Sequence, residues 1–387
     1  MDFPLAGLRV LDLSRVLAGP FAARMLGDLG AEVVKLEPPE GDVTRGWGRI
    51  RAGISGYYTQ QNAGKQAVCV DLEAPGGPAL VRRLAAAADV LIENFRPGVM
   101  ARHGLAWKDL AAGNPRLVML SISGFGHEGP EAQRAAYASV LHAECGLVAR
   151  QAEQDGAKAT DPVLSIADMN AGLHGLVAIL AALRLRDRTG RGQHIDIALF
   201  DAMLATDDYA NFALDAIPLV RGGGELWDAP GGQVMIVGDF RTIWKLLVKH
   251  AGVVDPTPAG APLAEKIRLR RRAAAEYFAS FPDRAALVDA LDAMNLAWGD
   301  VRDNAAAFAS PTARARGTVA QVDDRGGDTR PVVQSPYRFS DAASGVRCGP
   351  AFRGEHNRDV LARWLGASPE EIARLEADGV LHAEVRG

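Results

Sequence analysis

Residues 8–37 read LRVLDLSRVLAGPFAARMLGDLGAEVVKLE, a short apolar run (8–14), then an amphipathic stretch (FAARMLGDLG, 21–30), then a second apolar run (31–37). Apolar runs of roughly four to eight residues separated by helical patterns of roughly ten to fifteen indicate βαβ units. Their strands, buried on both faces, lie parallel. The pattern recurs downstream in AVCVDL (67–72), ALVRRLAAAADV (79–90), LIENF (91–95) and RLVMLSIS (116–123). The first part of the chain therefore predicts an α/β fold with a doubly wound sheet.

At 387 residues the chain is long enough for two domains, because single cores stop growing at roughly 250–300 residues. After GQHIDIALFDAMLATDDYANFAL (192–214) it becomes glycine-rich at Arg221-Gly222-Gly223-Gly224 and again at Pro230-Gly231-Gly232, as a linker or binding loop would. A second unit follows from GQVMIVGD (232–239) to about Val301, and RGGDTRPVVQSP (325–336) reads as a further extended connection. Two helices close the chain, the second opened by Ser368 as cap with Pro369 at its first position.

The hydrophobic share of 48%, charged share of 23% and aromatic share of 6% fit ordinary globular usage. A net charge of −4 provides no general basic field for nucleic acid. The one basic cluster, Arg268 with Arg270, Arg271 and Arg272, lies among alanines beside Glu265 and Glu276 and reads as a solvated helix face. Cys69, Cys145 and Cys348 are far apart, with no CxxC and no zinc-like spacing, so neither disulfides nor a metal site are expected. The N-terminus MDFPLAGLRVLDLS has no basic leader, and no uncharged apolar run approaches the roughly 18 residues of a membrane span. A cytoplasmic protein is expected.

Gly124-Phe125-Gly126-His127-Glu128-Gly129 matches GxGxxG after a strand-like run, but Pro130 and a polar stretch follow where a dinucleotide site needs a helix. We read it as a strand-ending glycine turn. Ser165-Ile166-Ala167-Asp168-Met169-Asn170 opens an apolar helical pattern that ends with Arg184, Arg186 and Arg188 before Gly190. Asp168 in its first turn suits a capping residue. Capping is the reading the residues favour, and the position also permits a nucleophile, because a helix N-terminus favours the carboxylate, and an ionised aspartate needs no general base. Ile92-Glu93-Asn94-Phe95-Arg96-Pro97-Gly98 through Arg102 ends a strand, where doubly wound sheets gather ligands, and offers two arginines and an amide for phosphate.

Taken in order, residues 4–42, VDL (70–72), ENFRPGV (93–99), GFGHEGP (124–130), SIADMNAGLHG (165–175), 179–202 and GEHNRDVL (354–361) resemble the family III CoA-transferases, with methylacyl-CoA racemases as relatives. The resemblance spans nearly the whole chain and is weakest between about residues 220 and 260. It implies a large Rossmann-like CoA-binding domain from residues 1–200 and 340–387, a small α/β domain at 225–325, linkers at 201–224 and 326–339, and an interlocked homodimer. Asp168 then corresponds to the catalytic aspartate. Leu17, Ala18, Val70, Asp71, Leu72, Glu73, Asn94, Phe95, Arg96 and Arg102 correspond to positions lining the CoA site, and Tyr137 to a tyrosine beside its reactive end.

The implied reaction moves CoA from an acyl-CoA donor to a carboxylic acid through an aspartyl anhydride and an aspartyl-CoA thioester. CoA enters as substrate, with no permanently bound cofactor. Gly222, Gly223 and Gly224 are the candidates for a glycine lid. Leu17 replaces a glutamine used by formyl-CoA transferase near its small acid, which favours a more apolar acceptor. Pro38 and Pro39 replace basic residues, leaving Arg15, Arg45 or Lys65 for the CoA phosphates. Two other functions stay open: an acyl-CoA racemase, with His142 or His174 supplying the second proton-transfer group, or a non-catalytic CoA-binding subunit.

Overall fold

Six short strands of high β-branched content form the centre of the fold in a computed structural model that describes residues 2–219 and 223–384. They are β1 (Arg9–Asp12), β2 (Glu32–Glu37), β3 (Gln66–Cys69), β4 (Val90–Glu93), β5 (Val118–Ser123) and β6 (His194–Ala198). All pair in parallel, in the order β3-β2-β1-β4-β5-β6. This is the doubly wound order whose direction reverses between β1 and β4.

The strands show why their apolar runs are continuous. Val10, Val33, Val90, Ile92, Val118 and Leu120 face one core. Their neighbours Leu11, Val34, Leu91 and Met119 face another. Both faces of the sheet are thus covered, as the period-two alternation of a strand requires.

On the first face lie α1 (Ala18–Asp28) and, later in the chain, α3 (Ala138–Glu144) and α4 (Ile166–Thr189); on the second lies α2 (Gly77–Ala86). By length and composition α4 is apolar enough to cross a membrane, but its residues Ala167, Ala171, Leu176 and Ile179 pack into the core beneath the sheet. It reads as the central helix of this unit. Its Gly172 is required by that packing, since a Cβ there would come within 2.8 Å of the Ala18 carbonyl oxygen.

The described residues divide into two units, 2–208 with 314–384, and Tyr209–Ala313. The smaller holds an antiparallel sheet of β7 (Gly224–Ala229), β8 (Gly232–Val237) and β9 (Ala297–Asp300), in the order β9-β8-β7. Against it pack α5 (Phe240–Ala251), α6 (Leu263–Ala279) and α7 (Arg284–Ala293), closing a core of Trp227, Ile236, Leu247, Phe278 and Leu291. On α6, Arg268, Arg270, Arg271 and Arg272 each have an acidic partner, respectively Glu265, Asp255, Glu225 and Glu276. No unbalanced basic face results.

The chain then returns to the larger unit. A hairpin of β10 (Val319–Asp323) and β11 (Thr329–Val333) spans positions that the sequence assigned to the small domain and a linker. The buried Arg330 fastens it to the larger unit, donating to the Ile54 carbonyl at 2.9 Å and to Thr59 Oγ1 at 3.0 Å. The closing helices α8 (Asn357–Leu365) and α9 (Pro369–Ala377) place Val360, Leu361, Trp364 and Ile372 in the core shared with α2. Ser368 caps α9 by accepting the Glu371 amide at 3.2 Å, with Pro369 at its first position.

Candidate active site

The carboxyl ends of β1, β4 and β5 surround a cavity of about 550 Å³. It lies at the reversal of strand order, where a doubly wound sheet leaves a crevice. Ala18, Asn94, Phe95, Arg96, Tyr137 and Asp168, all expected from the sequence, line this one cavity together with Arg15 and Val16. Among the described residues, Asp168 is its only lining carboxylate.

Three segments converge on Asp168. The backbone amides of Ala138, Ala18 and Asp168 itself, in the first turns of α3, α1 and α4, face its carboxylate and favour its charged form. Gly172, one turn further along α4, allows α1 to come this close. Amide donors favour the charged form, but burial outweighs them and pushes the carboxyl up to about 6. Ser165, not Asp168, occupies the N-cap position of α4.

The turn between β1 and α1 is fastened at successive backbone groups. Lys35 Nζ donates to the Ser14 carbonyl at 2.7 Å, and the Asn94 carboxamide bonds both the amide and the carbonyl of Arg15 at 2.8 Å. Asp42 accepts the Val16 amide at 3.2 Å and pairs with Lys35 at 3.2 Å. Beneath them the buried Lys65 bonds Asp12 at 2.8 Å, Asn62 at 2.8 Å and the Pro20 carbonyl at 2.9 Å. Arg45 is clamped by Glu37 at 2.6 Å and by the Tyr58 hydroxyl at 2.7 Å. Lys65 and Arg45 are thus committed to internal ion pairs, which removes them as phosphate ligands and leaves Arg15 of the three.

The other expected residues stand apart from the cavity lining. Leu17 sits between Val16 and Ala18 but is buried. Val70–Leu72 with Glu73 follow β3 and are tied to the closing segment by the Val70–Leu381 bridge and by the Asp71 amide on the Val380 carbonyl. Glu73 lies 3.6 Å from His103, which adjoins Arg102 on the short helix Val99–Arg102. Leu72 and Phe95 each pack against the core that α2 covers. Of the glycine run, Gly222 lies outside the described residues, and Gly224 opens β7 opposite Val237. The run Gly124–Gly129 opens no helix; Gly126 and Gly129 turn with φ of 84° and 102°.

Two neighbours of Asp168 are Tyr57, which carried no sequence signal, and His142, which the sequence offered only as a proton-transfer group for racemisation. The Tyr57 hydroxyl is pushed up by burial and then by the Asp168 and Asp42 charges, and its ring meets Trp47 edge-on at 5.2 Å. His142 is buried under the start of α4. Its Nε2 accepts the Ala167 amide at 3.3 Å, which leaves the proton on Nδ1 to donate to Asp161 at 2.8 Å. Ser139 donates to the same Asp161 carboxylate at 2.6 Å. A lone tyrosine such as Tyr57 has no pattern to distinguish it until the fold brings it beside Asp168.

Residues 5–357 match the model of CoA-transferase family III. The chain belongs to CoA-transferase family III. The chain is 35% identical to the succinate–glutarate CoA-transferase of Agrobacterium fabrum, over 93% of this chain and 95% of that one. It is 31% identical to the succinyl-CoA–L-malate CoA-transferase beta subunit of Chloroflexus aurantiacus, over 98% of each. A crystal structure of a CaiB/BaiF family protein from Brucella suis superposes with a TM-score of 0.81 at 32% identity, covering 94% of this chain and all of that one. Membership of the family makes the chain an enzyme whose substrates are CoA thioesters, acting through a covalent aspartyl intermediate.

Proposed function

We propose that this family III transferase moves CoA from an acyl-CoA donor to a carboxylic acid with Asp168 as the nucleophile. The observation that carries this reading is a single lining carboxylate, at the strand-order reversal, faced by backbone amides from the first turns of three helices. Asp168 attacks the thioester carbonyl and expels CoA thiolate, leaving an aspartyl–acyl anhydride. The thiolate attacks the aspartyl carbonyl of that anhydride, releases the donor acid as its carboxylate and leaves an aspartyl-CoA thioester. The acceptor carboxylate attacks this thioester and expels thiolate, which then takes the new acyl group and frees Asp168. Splitting the exchange in this way makes each step easier, provided that water is kept from the anhydride.

Arg15 and Arg96, both exposed at the cavity, are our candidates for the CoA phosphates. Val43, Ile122 and Leu199 give the lining an apolar part, and the relatives named above act on succinate, glutarate and L-malate. Aliphatic dicarboxylic acids of four or five carbons are therefore the first acceptors to screen. Racemisation requires a second group able to exchange a proton in the cavity. Both ring nitrogens of His142 are engaged, and neither His142 nor His174 lines it. We further propose a cytoplasmic homodimer, to be checked by light scattering.

The test is mass spectrometry of the purified chain with acyl-CoA, trapping the aspartyl adduct as a hydroxamate with hydroxylamine. The expected adduct lies on Asp168, and Asp168→Ala loses transfer by at least about a thousandfold. Normal transfer by Asp168→Ala would sink the mechanism. Washout of the α-proton without any acceptor acid would favour racemisation.

A further inference from the structure

Val16 adopts φ 68°, in the left-handed region. The other non-glycine residues found there are Ala52, Ala216, Asn295 and Arg325, so Val16 is the only β-branched one among the described residues. Two γ-carbons crowd the backbone in this conformation, and glycine would occupy it without strain. The strain is imposed from outside, by the bonds from Lys35, Asn94 and Asp42 to the turn.

Core packing does not offset it. Val16 is half-buried, belongs to no hydrophobic core cluster and lines the same cavity as Asp168. Leu17 alone separates it from Ala18, whose amide faces the nucleophile, and two residue steps are at most about 7 Å of chain. A strained residue of this kind, held in place by its surroundings and exposed to a reaction site, points to a use there. Its isopropyl group is also stiff about χ1, so it makes a wall that does not yield to the ligand.

We propose that Val16 is a specificity-determining residue: its side chain walls the reactive end of the cavity, excludes acyl groups branched next to the thioester carbonyl, and keeps water from the aspartyl anhydride. The inference rests on the transferase reading of Asp168 above. Without the wall, water attacks the anhydride carbonyl, and the acyl group leaves as free acid while Asp168 regains its carboxylate. A wider pocket also admits a methyl branch at the α-carbon.

The experiment compares the full-length wild-type enzyme with Val16→Gly and Val16→Ile. Three quantities are read: the melting temperature, the ratio of donor hydrolysis to transfer, and the ratio of kcat/KM for α-methyl-branched against straight-chain acyl-CoA. Val16→Gly should melt at or above the wild-type temperature and still form the trapped Asp168 adduct. Its hydrolysis share and its relative use of branched donors should each rise about tenfold, while Val16→Ile lowers the use of branched donors further. A folded Val16→Gly with both ratios unchanged overturns the proposal. So does a folded Val16→Gly that forms no adduct, because the turn would then serve only to position Ala18. Absence of the adduct in the wild-type enzyme would instead overturn the transferase reading, and this inference with it.

Discussion

Three amides face Asp168 and by themselves would hold its carboxyl low; burial dominates and raises it to about 6. Two consequences have opposite signs. The nucleophile must be ionised, so kcat/KM should rise about tenfold per pH unit below pH 6 and level off above it. For stability, an acid whose pKa is raised on folding binds more protons folded than unfolded between about pH 4 and 6, and its contribution is lost as pH rises through that window. Asp168→Asn removes the buried charge, so it should abolish transfer and yet be the more stable protein at pH 7.5, by roughly 1–3 kcal/mol. The gain should vanish near pH 4. Melting curves of both proteins across this range check the sign. In the sequence, Asp168 was legible as a first-turn aspartate that could cap or attack. Its burial and its partner amides were not, because Ala18 and Ala138 are distant in the chain and meet it only through packing. Val16 was illegible for a related reason, since its strain is set by Lys35, Asp42 and Asn94.

Between residue and fold stand the elements that hold these groups. His142 links α3 to the first turn of α4 through the Ala167 amide, and Asp161 fixes its tautomer. His142→Ala should leave that amide unpaired and let Asp168 drift. A fall in kcat of about tenfold, with KM for the acyl-CoA within about twofold, is the pattern of a positioning residue. Steady-state kinetics read it, and equal loss in both parameters would contradict it. The buried ion pairs under β1, β2 and β3 carry a second prediction. Burial pushes Lys65 down to about 8, although Asp12 opposes it. Lys65→Met leaves the buried Asp12 charge without its lysine and should cost about 3–5 kcal/mol in denaturant unfolding. The double variant Asp12→Asn with Lys65→Met should recover most of that, since the uncompensated charge is gone. Strand and helix alternation was readable because it depends on local period. That Lys65 and Arg45 serve this interior network, and not a phosphate, was not, because both read from the sequence as free cations near a ligand site.

On the scale of the whole molecule, the chain closes its larger unit only at its end. Trp364 on α8 is buried, donates its indole N–H to Glu32 at 2.9 Å and lies under the Arg9 guanidinium. The alternation of the first two hundred residues made the parallel sheet readable, and the turn chemistry of Ser368 and Pro369 marked the last helix. Where the chain crosses back was less readable, because the hairpin around Arg330 belongs by its bonds to residues some 270 positions earlier. The smaller unit has a core of its own around the fully buried Phe278, which meets Trp227 at 5.2 Å between ring centroids. Two separate cores predict two separately destabilised regions. Phe278→Ala and Trp364→Ala each remove a large buried aromatic, at about 3–5 kcal/mol. Hydrogen exchange read by mass spectrometry should distinguish them. Phe278→Ala should speed exchange at Val234, Ile236 and Leu247 while β1, β2 and β4 stay protected; Trp364→Ala should do the reverse. Transfer activity should then follow the second variant's loss of protection at β1, since that strand leads into the turn carrying Val16 and the Ala18 amide. Uniform acceleration in both variants would mean that the two cores unfold as one.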